Sequence, residues 1–171
     1  MVLLNLMRHL KAEGFQVHLL LGEGGPLLDE YRSVAPVTLW PASGKHVVNA
    51  LADMVLGKLG QWERFYQRQL LQQPKVVRAQ LALDSFDLVF VNTVMSSRWF
   101  SLLGIPEKTP VITFVHELDM SVRLYTRPDQ LAHLLQRSNH ILAVSKATSR
   151  SYEQQHGVDP KRVTLFTLID T

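Results

Sequence analysis

Six short apolar runs separated by stretches of helical spacing decide what this chain can fold into. They are Gln16 to Leu21, Pro36 to Trp40, Asp87 to Thr93, Pro110 to Val115, Ile141 to Val144 and Arg162 to Leu168. Runs of this length, closed by Gly, Pro or polar residues, are the mark of strands buried on both faces, which read as nearly continuous apolar segments. Strand and helix alternate throughout. That order argues for an α/β fold, Rossmann-like, with a parallel sheet between two layers of helices. The chain contains no internal repeat and no low-complexity segment.

The helices announce themselves by spacing and by their ends. Leu3, Leu6, Met7 and Leu10 recur at helical intervals, and Gly14 follows where a left-handed cap belongs. Pro26 suits a first helical position before Leu27 to Val34, while Gly22, Gly24 and Gly25 make the preceding turn. From Val47 to Leu83 the pattern is helical but broken at Gly57, Gly60 and Pro74, which predicts two or three helices. Ser96 to Leu103 forms a helix ended by Gly104 and Pro106. After Val115 comes a charged segment expected to be irregular, then a helix over Gln130 to Arg137. Ser145 is placed to cap a helix running to Gln155, with Gly157 ending it.

Composition narrows the chemistry. At 171 residues, 46% hydrophobic and 19% charged, the chain can bury a core and is not disordered. It has no cysteine, which excludes disulfides, thiolate metal sites and cysteine nucleophiles. Its histidines, His9, His18, His46, His116, His133, His140 and His156, fall in no metal-ligand spacing, so no metal is expected. No apolar stretch approaches the ~20 residues of a membrane-spanning helix. The first eleven residues lack the basic lead and small-residue cleavage site of a signal peptide, so cytoplasmic residence is the expectation. A net charge of +3 is too modest to imply a nucleic-acid partner.

In open α/β sheets, ligands bind beyond the carboxyl ends of the strands. The residues found there are Gly22 to Gly25, Asn92 and Thr93, His116 and Glu117, and Ser145, and all are expected on one edge. The glycine turn lacks the G-x-G-x-x-G spacing of a dinucleotide cradle. His116 can either bond to backbone at its strand end or act on a ligand, since imidazole donates, accepts or carries charge near neutral pH. Glu117 reads equally as a ligand-binding group and as a solvated acidic loop residue. Ser145 has a sufficient structural role as an N-cap.

Taken in order, these segments resemble the N-terminal domain of family 4 glycosyltransferases of the GT-B type. The leucine-rich opening helix, Gly14 and Val17 to Leu21 match the start of that domain. Val111-Ile112-Thr113-Phe114-Val115-His116-Glu117 matches its strand ending in His and an acidic residue. Ile141-Leu142-Ala143-Val144-Ser145 matches its strand ending in Ser, and Gly157-Val158-Asp159-Pro160-Lys161-Arg162-Val163 its last turn and strand. The resemblance implies that His116 faces an interdomain cleft as a catalytic residue. It also adds a substrate contact at Ser145 and makes a nucleotide-sugar the co-substrate with no other cofactor, while Asn92, Thr93 and Glu117 are substrate-binding candidates by the strand-end rule. Residues 1–171 would then be the acceptor-side domain, and the donor-binding domain with its paired glutamates is absent from them.

Two departures qualify the match. Family members open on an apolar strand and glycine loop before the first helix, whereas this chain opens in the helix. The expectation is therefore a sheet without its first strand and a domain that is marginal in isolation. Near the other end, Thr167-Leu168 stand where Asn-Gly is common. The basic amphipathic stretch from Lys58 to Arg78 fits either a solvated helix face or peripheral contact with an anionic membrane. A non-catalytic Rossmann-like binding module is the second reading of the whole chain. A receiver-like domain is a third, weakened by Asn92 and His116 at strand ends where clustered acidic residues are needed.

Overall fold

Helix α1 (Val2–Ala12) turns Leu4 and Met7 inward, three residues apart on one face. In this computed structural model, which describes residues 2–40 and 74–166, the two pack with Val34 and Ala35 and are flanked by Leu3, Val17, Leu19 and Tyr31. The helix ends in a Schellman motif. Gly14, at φ 87°, donates its N–H to the carbonyl of Lys11, and Phe15 donates to that of Leu10. Strand β1 (Leu19–Leu21), helix α2 (Leu28–Val34) and strand β2 (Val37–Leu39) then form a βαβ unit, with Leu20 paired in parallel to Thr38. Lys11 closes α2 by donating from Nζ to the carbonyl of Val34 at 2.8 Å.

The chain divides into two compact units, Met1–Ala82 and Leu83–Thr171. In the first, residues 74–81 are also helical (α3), carrying buried Val77 and Leu81. The predicted helices between Val47 and residue 73, and most of the Lys58 to Arg78 stretch, lie outside the described residues.

The second unit carries the longer sheet. Strands β3 (Val89–Val91), β4 (Val111–Val115), β5 (His140–Ala143) and β6 (Val163–Leu165) lie side by side in that order, all parallel. Between them run α4 (Ser97–Leu103), α5 (Asp119–Tyr125), α6 (Pro128–Arg137) and α7 (Lys146–His156). The mixed α/β class with parallel sheets and flanking helices is the expected Rossmann-like one, although the strands form two sheets. Strand β4 is buried at every position except half-buried Ile112, as a central strand should be.

Helix α5 corrects the sequence reading, which left this segment irregular. Only Val122 on it is buried, so there is no apolar stripe for a pattern to find. Its turn is held instead by Asp119 and Arg123, four residues apart and 2.8 Å from each other, and by the Thr126 hydroxyl donating to the carbonyl of Val122. Two buried hydroxyls in this unit pair with each other: Thr113 Oγ1 meets Ser138 Oγ at 2.6 Å, and Ser138 Oγ donates to Leu134 O. Arg162 donates to the carbonyls of Leu135 and Ser138, satisfying the end of α6.

Candidate functional site

Register brings the site residues together. Val91 pairs with Thr113, and Val115 pairs with Ala143, so β3, β4 and β5 deliver Asn92, His116 and the Val144–Ser145 step to one sheet edge. Thr93 caps a short 3-10 turn by accepting from the backbone N–H of Met95. Its hydroxyl is thereby turned to donate to Glu117 Oε1. The other carboxylate oxygen accepts from the backbone N–H of His116 at 3.1 Å.

Glu117 is therefore not a solvated loop residue. Its side chain is 5% exposed, whereas that of His116 is 42% exposed. A carboxylate taken this far from water requires donors, and the Thr93 hydroxyl and the His116 amide supply them. His116 stands in front of it. Nε2 lies 3.2 Å from the backbone carbonyl of Asn92 and 3.6 Å from Glu117 Oε1. Both oxygens favour a proton on that nitrogen and leave Nδ1 as the acceptor of the neutral ring. Phe114 supports the ring from the strand, with centroids 5.4 Å apart.

Asn92, Thr93, His116 and Glu117, with Met95, Leu118 and Ser121, line an open depression of about 560 Å³. Ser145 shares the sheet edge but is not among the residues lining this depression. Its Oγ accepts from the backbone N–H of Thr148 at 3.1 Å and lies 3.0 Å from the Thr148 hydroxyl, so its N-cap role is realised. The turn from Gly22 to Gly25 belongs to the first unit, where it follows β1. Among the described residues, no group of three or more His, Asp or Glu side chains could hold a metal ion.

Sequence reasoning missed Tyr152. It is 1% exposed on α7, and its hydroxyl has no hydrogen-bond partner. Burial, reinforced by the negative charge of Glu117, pushes the phenol well above its ordinary pKa. The only advance signal was its position four residues after Thr148, which marks a buried helix face rather than a site.

Comparison with known proteins agrees with the residue pattern. A family model described as Glycosyltransferase Family 4 matches residues 1–167 of the 171. No curated protein matches the chain. No helix among the described residues is long and apolar enough to cross a membrane.

Proposed function

The chain belongs to glycosyltransferase family 4, and from that membership we propose that it is the acceptor-binding half of a retaining, GT-B-type enzyme. The observation that carries the proposal is an exposed imidazole held over a buried, hydrogen-bonded carboxylate at the carboxyl edge of a parallel sheet. This is where open α/β sheets place their ligands. The donor is a nucleotide-sugar bound by a second domain, and no resident cofactor takes part.

His116 is the catalytic residue of this half. Its imidazole accepts a hydrogen bond from the acceptor hydroxyl and directs that oxygen toward the anomeric carbon of the donor. Glu117 and Thr93 are positioning residues that fix the loop from which His116 projects. Asn92 and Ser145 border the acceptor on either side of β4. Sugar transfer needs donor and acceptor held together, an orientation worth up to about 7 to 11 kcal/mol, and half a cleft cannot supply it. Residues 1–171 alone should therefore not turn over.

The test is His116→Ala in the protein that carries both domains. A fall in kcat/KM of about 100-fold or more, with unchanged thermal unfolding, is the expected result. Unchanged transfer would instead favour a non-catalytic binding module, and sugar transfer by residues 1–171 alone would refute the half-cleft reading.

A further inference from the structure

A second cavity, of about 630 Å³, opens in the same unit between the C-terminal half of α5, the body of α6 and the end of α7. It has no lining residue in common with the depression at His116. Its volume falls in the range of about 300 to 1,000 Å³ typical of small-molecule sites. Val122, Leu131, Leu135 and Val158 give it an apolar floor, and all four are buried. Its formal charges are those of Arg123 and Arg162, and no carboxylate lines it.

His156 also lines the cavity, but its Nε2 is buried in the wall and out of reach of the open space, so the polar recognition falls to the two arginines. Both arginines keep donors in hand. Arg162 gives one terminal nitrogen to the carbonyls of Leu135 and Ser138, and Arg123 gives Nε to Asp119, out of five N–H groups on each guanidinium.

We infer that this cavity binds a small amphipathic organic anion: an acyl or aryl body against Val122, Leu131, Leu135 and Val158, its carboxylate or phosphate held by Arg123 and Arg162. The apolar floor rejects an inorganic ion as the main occupant, because its area would stay uncovered. Arg162, together with Arg123 whose charge Asp119 partly offsets, and the absence of lining carboxylates favour an anion over a cation. This site goes beyond acceptor binding and stands whether or not His116 is catalytic.

The experiment is an NMR titration of the full 171-residue chain, labelled with nitrogen-15, using octanoate and its neutral counterpart octanamide. Saturable shifts at the amides of Thr126, Gln155 and Gly157 are expected with octanoate, with octanamide at least about ten-fold weaker. Ala132→Trp, at an exposed position on the cavity lip, should abolish binding without disturbing the floor. Shifts that do not saturate, equal affinity for the two probes, or undiminished binding by a folded Ala132→Trp variant would each overturn the inference.

Discussion

Glu117 is the residue on which the site's geometry turns. Both its oxygens are engaged, one by the Thr93 hydroxyl and one by the His116 amide. Alanine at 117 would strand both donors, at a cost of about 1 to 3 kcal/mol for a buried amide left unpaired. Glutamine keeps one acceptor and offers an N–H to Thr93 Oγ1, so Glu117→Gln should be markedly milder than Glu117→Ala in urea unfolding. A second readout separates charge from packing. Because the Glu117 charge adds to the effect of burial on Tyr152, Glu117→Gln should move the phenol's titration, followed by ultraviolet absorbance, to lower pH. It should stay above the ordinary tyrosine range, since burial is the larger cause. An unmoved titration would mean that the two side chains do not sense each other. The strand-end rule made Asn92, Thr93, His116 and Glu117 legible in the sequence. The burial of Glu117 was not, because acidic residues after strands are ordinarily solvated, and one of the two donors that reverse this here, the Thr93 hydroxyl, lies 24 positions away.

At the scale of elements, boundaries with a chemical signal were read well and those without one were not. Gly14, Gly104 and Gly157 all adopt positive φ at the helix ends where the sequence placed them. The strands were overestimated: Gln16 to Leu21 shortens to Leu19–Leu21, because apolar character marks burial and not ladder pairing. The cap at Gly14 can be tested by itself. At φ 87° a Cβ would meet nothing within 4 Å, so the effect of Gly14→Ala is purely that of the backbone, about 1 to 2 kcal/mol of destabilisation. Gly25 also has open space around it but no left-handed φ. Gly25→Ala should therefore be neutral or slightly stabilising, since alanine narrows the unfolded ensemble. Equal losses in the two variants, measured by urea midpoints, would show that the Schellman turn does not depend on glycine.

For the molecule as a whole, alternation specified the α/β class but not the division of strands into sheets of two and four, because periodicity says which residues are buried and not which strands pair. Each compact unit nonetheless contains a histidine held neutral by burial, His18 in the first and His156 in the second. His18 Nε2 shares a 2.8 Å hydrogen bond with Thr38 Oγ1, and His156 packs on the Tyr152 ring at 5.2 Å with Asp119 and Arg123 as the charges acting on it. Both folded pKa values lie below the unfolded value of about 6.5. Above that pH the histidines are neutral in either state and stability is flat. Below it the unfolded chain binds protons that the folded chain resists, so stability falls with pH until the depressed folded values are passed. Thermal unfolding followed from pH 8 to about pH 4 should therefore hold steady above about 7 and decline below about 6.5, in advance of carboxylate titration. The double variant His18→Gln, His156→Gln should flatten that decline while leaving any fall below about pH 4.5 intact. If the double variant tracks the wild type through this window, burial of these two rings does not set the acid limit of the fold.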